Sequence, residues 1–327
     1  MTAALILAAG SPSENSKRWL TDDIGGTSSI RRLILLFRQA EIGKIVVVTG
    51  FNAEETEKHC GHLGVVFLRN NDFETGDILH SIKIGLDYLK DKCEKTFIAP
   101  ADISLFSSET LKSMEDADEP VVIPIFCNRT GHPILLSRSL FDRVLEYGGS
   151  GGIGGALSGA DVERRFLDVL DEGILVDTQK YDVLDSIVES HDLRRIRPEF
   201  KLSLACEKGF FGPGMLLLLT LVMEAGTLKY AAQRMGISIH KALTMIANAE
   251  EQLGFKVLAT TKGGRPKGGP PKGGTSKVTE DALDIMNRYG AFEAECMQLV
   301  KESFDKHFSG MKPIPASSDV VEEGLLC

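Results

Sequence analysis

Up to about residue 197 the chain alternates short apolar, β-branched runs with amphipathic stretches. AALILAAG, KIVVVTG, VVFLRN, KTFIAPAD and EPVVIPIF read as strands. SSIRRLILLFRQA, ILHSIKIGLDYLK and SSETLKSME carry the 3.6-residue spacing of helices. Strands that are apolar along their whole length and separated by helices predict an α/β domain with a mostly parallel sheet covered on both faces. Ligands of such sheets bind beyond the carboxyl ends of the strands. Those ends read AAG, VTGFNAEE and PADISLF.

The pattern changes near RRIRPEFK. Beyond it helical periodicity dominates, in GPGMLLLLTLVMEAG, TLKYAAQRMG and SIHKALTMIANAEEQLG. KVLATT, a Gly/Pro/Lys tract and SKVT follow, and then one long helix, EDALDIMNRYGAFEAECMQLVKESFDKHF. These features predict a domain over 1–197, a second, mainly α domain over 201–308, and a disordered tail over 309–327, which has few means of burying itself.

Charge sharpens this division. Across 327 residues the net charge is −9. Residues 1–200 hold 22 basic against 32 acidic side chains, whereas 201–280 hold 11 against 5 and 281–327 hold 4 against 9. A basic segment of domain size behind an acidic one points to a polyanion partner for the second half. With 43% apolar residues and no apolar run near membrane-spanning length, no membrane segment is expected; MLLLLTLVM is of core length. MTAALILAAG lacks the basic start of a signal peptide. The six cysteines form no CxxC pair and have no histidines at ligand spacing, so reduced thiols in a cytoplasm are expected.

Two stretches of the first half carry candidate chemistry. In LAAG a glycine directly follows a strand, where backbone N–H groups can approach phosphates, and Lys17 and Arg18 lie close behind. Strand-to-glycine turns are also common in α/β proteins at large, so the turn alone is equally compatible with a structural role. In FIAPADISLF, Asp102 stands where a buried strand stops, a position that suits Mg²⁺, which takes one or two acidic ligands and completes its shell with water and phosphates. The alternative is a helix cap, but SSETLKSM supplies its own caps in Ser107 and Ser108. GGSGGIG has G-x-G-x-x-G spacing but follows a helical pattern rather than a strand. It is not expected to be a dinucleotide site; a flexible loop, on the acceptor side in the resemblance described next, is the expectation.

LILAAG, VVVTGFNAEE, NNDFETG with SIKIGL, APADISLF, RTGHPILLSRSLF, GGIGGAL and ILVDTQKYDVL occur here in the order seen in MobA/MocA-like nucleotidyltransferases. The resemblance spans about residues 2–190. It implies a Rossmann-like nucleotidyltransferase fold and transfer of CMP or GMP from CTP or GTP to a molybdopterin-type acceptor with Mg²⁺. It also implies that Leu7, Ala8, Ala9, Gly10, Gly76 and Ser81 hold the nucleotide and that Asp102 and Asp177 bind the metal. Asp102, Lys17 and Arg18 would be catalytic, and Gly131, His132 and Pro133 would line the acceptor pocket, although a His between Gly and Pro can also simply stiffen a turn. Where the family loop reads x-S-x-R-M-G-x-x-K, this chain has Glu14 at the arginine and Ser16 at the second glycine. Ser104 and Gln179 replace the prolines of the DxP and DTP segments. An acid where a triphosphate sits has the wrong sign. Two function classes follow: an active transferase, or a regulator whose front domain senses a nucleotide or cofactor.

GTLKYAAQRMGISIHKALTMIANAEEQLGF has the layout of a helix-turn-helix. Leu228, Ala231 and Ala232 form the inner face of its first helix, Met235–Gly236 the turn, and Ser238 the cap of the second helix. That second helix is expected to bury Ala242, Ile246, Ala249 and Leu253. It would expose His240, Lys241, Thr244 and Met245, where a recognition helix meets base edges. The tract after it carries Lys262, Arg265, Lys267, Lys272 and Lys277 without an acid among them and is flanked by strand-like pieces; it reads as a basic wing or as a plain linker. Residues 201–295 resemble the winged-helix domain of ModE, the molybdate-responsive repressor. The resemblance implies double-stranded DNA binding, by Ser238, His240, Lys241, Thr244 and the wing cations, and a homodimer. A winged helix turned to dimerisation alone is the alternative.

Overall fold

The computed structural model describes residues 1–12, 16, 18–74, 77–159, 161–180, 188, 196, 198–261 and 275–308. Lys17, Gly76, Lys262, Arg265, Lys267 and Lys272 lie outside the described residues, as do Glu14 and the tail 309–327. The chain forms two compact units, Met1–Ile196 and Arg197–Met311.

The N-terminal unit is an α/β sheet with helices. Its elements are β1 (Thr2–Ala8), α1 (Ser29–Gln39), β2 (Lys44–Thr49), α2 (Ala53–Cys60), β3 (Val66–Arg69), α3 (Ile78–Leu89), β4 (Lys95–Pro100), α4 (Ser108–Glu115) and β5 (Val121–Phe126), followed by β6 (Arg129–Thr130), β7 (Ile134–Ser137), α5 (Phe141–Glu146), α6 (Gly152–Ala156) and β8 (Arg164–Asp168). The strand order is β3-β2-β1-β4-β7-β5-β6, with β8 also pairing β5. The β3-β2-β1-β4 half is parallel throughout. β7 runs antiparallel to both β4 and β5, while β8 is parallel to β5.

β1 sits near the middle because six of its seven residues are buried, leaving no face for solvent. Gly85 lets α3 lie close on β1, since a Cβ there would run into the Leu5 side chain. Asp77 caps α3 and Ser107 caps α4, each accepting a backbone N–H from three residues on. The core on the α1 side centres on Phe37, with Phe97 at 5.9 Å and Phe106 at 6.1 Å.

Periodicity misses α2, β6, β7 and β8. β6 is two exposed residues. Cys127 and Asn128, both with positive φ, turn the chain between β5 and β6 and reverse its direction. β8, Arg-Arg-Phe-Leu-Asp, is mostly exposed and carries charges that hide its strand character. The segment expected to be a flexible loop is instead partly helical: α6 forms within GGIGGA, and Arg143 Nε donates to the Ala156 carbonyl at 2.9 Å.

The C-terminal unit contains β9 (Leu204–Ala205), β10 (Gly209–Phe211), α7 (Pro213–Ala225), α8 (Leu228–Arg234), α9 (Ile239–Leu253), β11 (Leu258–Thr261), β12 (Thr275–Val278) and α10 (Glu280–Phe308). Thr227 caps α8 and Ser238 caps α9 through their side-chain oxygens. Gly226 and Gly254 end α7 and α9 in the left-handed conformation. Buried Leu218, Val222, Ala231, Ala242, Ile246 and Tyr289 form the core, and β11 and β12 pair antiparallel. Leu253 is only half-buried, where the helical pattern predicts a buried position.

Candidate functional site

In the N-terminal unit a cleft of about 210 Å³ opens at the carboxyl ends of β1, β3 and β4. Its walls are the turn Leu7–Ser11, Asn70 and Phe73 after β3, the start of α3, Pro100–Asp102 after β4, Leu20 and Gln179. Backbone bonds stitch the strand ends together. Ala101 N donates to Leu7 O at 3.0 Å, Phe51 N to Ala9 O at 3.0 Å, and Asn70 N to Thr49 O at 2.7 Å. Gly50 is the sterically demanding glycine of this rim, because a Cβ there would meet the Ala9 carbonyl and Phe73. Beside Gly10 the equivalent space is empty, so backbone is accessible from the cleft. Ser81, near the start of α3, is buried and accepts from Asn70 Nδ2 at 3.0 Å. The α3 N-terminus, with its partial positive charge, therefore faces the same cavity as the Leu7–Ser11 turn.

Asp102 is held by a second segment that is zipped to the chain after β4. Asp171 accepts from Ser107 N at 2.7 Å and from Gly173 N at 3.0 Å. Gly173 presses on Leu105, with no room for a Cβ against its carbonyl. Ile103 bridges Asp177 antiparallel, and Thr178 N donates to Asp102 O at 2.8 Å. This bridge pairs Asp177 with Ile103 and Thr178 with Asp102, which leaves Asp177 near enough for its charge to act on Asp102. Burial, and then the charge of Asp177, push the Asp102 carboxyl above its ordinary range. Asp177 pairs with Lys180 Nζ at 2.6 Å and accepts from Gln179 N at 3.0 Å. Among the described residues no group of three or more His, Cys, Asp or Glu side chains could hold a metal, so any cation here relies on this pair and on its ligand.

The structure thus brings Leu7, Ala8, Ala9, Gly10, Ser81 and Asp102 to one cavity, with Asp177 adjacent. Arg18 is not among the described residues lining it, nor are Gly131, His132 and Pro133. Gly131 packs against Ile174, and His132 N donates to Ile174 O at 3.0 Å. Burial lowers the His132 pKa, and its Nδ1 is buried without a partner. Sequence reasoning missed Asn70, Phe73, Asp77 and Gln179. Only NNDFETG, which follows a strand, hinted at the first two.

In the C-terminal unit His240, Lys241 and Thr244 are exposed on the first half of α9. Ser238 Oγ is occupied by Lys241 N at 3.1 Å, and the Thr244 hydroxyl donates to His240 O at 3.0 Å. Met245, expected to be exposed, is half-buried, because its position faces the Gly214 end of α7. Exposed Ile239 and Leu243, which the sequence reading passed over, share the outer surface.

Residues 4–166 match the MobA-like NTP transferase domain, so the chain carries such a domain at its N-terminus. Bifunctional protein GlmU from Staphylococcus epidermidis is 25% identical over 118 residues, which cover 36% of this chain and 26% of that protein. GlmU from Oceanobacillus iheyensis is 26% identical over 113 residues, covering 34% and 24%. The chain spans about a quarter of the length of these curated relatives. Among solved structures, a nucleotidyl transferase from Methanothermobacter thermautotroptrophicus is similar over 55% of this chain and 93% of its own, with 19% identity and a TM-score of 0.48. A 4-diphosphocytidyl-2C-methyl-D-erythritol synthase from Anaerococcus prevotii is similar over 59% and 98%, with 14% identity and a TM-score of 0.45.

Proposed function

We propose that the N-terminal unit transfers CMP or GMP from CTP or GTP to an acceptor of the molybdopterin type. The C-terminal unit, in this reading, is a ModE-like winged helix that binds double-stranded DNA as a homodimer in the cytoplasm. The observation that carries the first part is the shared cleft, in which the open backbone at Gly10 and the Asp102 carboxylate line one cavity at the strand ends. Backbone N–H groups of the Leu7–Ser11 turn would donate to phosphates, with the start of α3 adding its dipole. Lys17 and Arg18 would supply charge from the same loop.

Asp102, with Asp177 beside it, fits a divalent cation. The donor set is one or two carboxylates, as Mg²⁺ prefers, and both burial and like charge disfavour the Asp102 anion until a cation compensates it. Bound there, Mg²⁺ would neutralise charge on the triphosphate.

One observation favours a second reading, in which the front unit senses rather than transfers. None of the described residues lining the cleft is Lys or Arg, while Asp77 and Asp102 both line it. For the DNA-binding part, support comes from the capped α9 with exposed His240, Lys241 and Thr244, and from the basic tract between β11 and β12. Exposed Phe292, Met297 and Leu299 on α10 offer a surface for a second copy. No helix among the described residues is long and apolar enough to cross a membrane.

Pyrophosphate release from CTP and GTP, measured with Mg²⁺ and molybdopterin, tests the transferase. Release supports transfer, and nucleotide binding without release supports the sensor.

A further inference from the structure

Three hydroxyls lie buried under the two carboxylate-bearing segments. Ser29, in the first turn of α1, is 2% exposed, Ser104 is 0% exposed and Thr178 is 2% exposed. Ser29 Oγ donates to Ala101 O at 2.6 Å and stands 2.9 Å from Ser104 Oγ. Thr178 Oγ1 lies 3.0 Å from Ser29 Oγ and 2.9 Å from Asp102 O. One proton arrangement satisfies the whole set: Ser104 donates to Ser29, Ser29 to Ala101 O, and Thr178 is shared between Ser29 and Asp102 O. Ser29 thereby accepts from both other hydroxyls, and no charge enters the network.

The bonds converge on the backbone that carries the cleft's acids. Ala101 and Asp102 offer their carbonyls, and Thr178 directly follows Asp177. Neighbouring carboxylates repel each other, and Lys180, 2.6 Å from Asp177, is the cation paired to this couple. The strand pairing after β4 is a single bridge, Ile103 to Asp177, backed by the backbone bond from Thr178 N to Asp102 O at 2.8 Å, and the hydroxyl network adds side-chain bonds at this same point. Burying three hydroxyls is costly unless every one is satisfied, and here every one is.

We propose that Ser29, Ser104 and Thr178 are positioning residues that set the separation of Asp102 and Asp177, so that a divalent cation meets both carboxylates already in place. The proposal deepens the metal-dependent reading of the cleft and rests on it. The hydroxyls touch neither metal nor nucleotide; they act through the backbone of residues that do.

Titration of the full chain with Mn²⁺, followed by electron paramagnetic resonance without nucleotide, tests this. Thr178→Val keeps the side-chain shape and removes the hydroxyl. It should weaken Mn²⁺ binding about 10-fold or more, as removing outer-sphere partners of metal ligands does. Thr178→Ser, which restores the hydroxyl, should restore the affinity, an outcome that a purely space-filling role for Thr178 does not produce. Asp102→Ala identifies the site. If the wild-type chain binds no Mn²⁺ in an Asp102-dependent way, the metal reading and this proposal fall together. If Asp102-dependent binding is present but Thr178→Val and Ser104→Ala bind as tightly as wild type, the positioning role alone is overturned. Should Thr178→Val not fold, by circular dichroism, Ser104→Ala decides, since it removes one donor to Ser29 and leaves all backbone bonds in place.

Discussion

The N-terminal unit gathers its candidate groups in a concavity at the strand ends, whereas the C-terminal unit sets His240, Lys241 and Thr244 on the exposed face of a helix. In the first unit the same contacts that shape the cleft also hold the fold. Gly50 and Gly173 leave room for neighbouring chain, Asp171 ties two segments, and the Ser29 network sits in the interior. In the second, α9 buries Ala242, Ile246 and Ala249 and leaves His240, Lys241 and Thr244 exposed on its first half. A concave site of this kind couples chemistry to stability. A convex one lets affinity vary while the fold stays the same.

The strongest break of this contrast comes from Asp102→Ala. Loss of the cleft carboxylate should lower Mg²⁺-dependent nucleotidyl transfer by about 10²- to 10³-fold, the scale of one electrostatic contact to a reacting group. The melting temperature should hold or rise, because a buried, destabilised carboxyl is removed. Activity and calorimetric melting on the same sample separate the two effects.

Gly173→Ala should do the reverse, destabilising the N-terminal unit by about 2–3 kcal/mol through collision with the Leu105 carbonyl, read from denaturant unfolding. A fold indifferent to this change would break the coupling between site and stability. In the DNA-binding reading of the C-terminal unit, Lys267→Ala with Lys272→Ala should weaken binding to every DNA sequence about 10-fold and flatten the salt dependence by about one unit per lysine. Melting should not move. Gel shifts at several salt concentrations check both.

The smallest effect concerns His132. Burial depresses its folded pKa below the ordinary 6.5, so the unfolded chain binds more protons between those two values. Its contribution to stability is therefore present above about pH 6.5 and lost as pH falls through the folded value. His132→Phe should flatten the acid side of the stability curve of the N-terminal unit.

Much of this architecture is legible in the sequence because burial on both faces writes continuous apolar runs, as in β1, β2 and β4. Elements at the sheet margin are not. β8 carries two arginines and an aspartate, and β6 is set by two left-handed residues rather than by apolar pattern. In the site, Leu7–Gly10 and Asp102 stand at strand ends, where topology alone directs attention. Gln179 and Asn70 reach the cleft through tertiary contacts: Ser16 Oγ lies 3.4 Å from Gln179 Oε1, and Asn70 holds Ser81. No spacing in the sequence encodes either contact. Met245 misled for a related reason, since helical phase alone does not reveal that α7 approaches that side of α9.

Titration calorimetry of the full chain with CTP and with GTP, each with and without Mg²⁺, decides whether the cleft is a metal-dependent nucleotide site. At least one nucleotide should bind only with the metal present, and that binding should be lost in Asp102→Ala. Nucleotide affinity that is the same with and without Mg²⁺, or that survives loss of Asp102, contradicts that reading of the cleft.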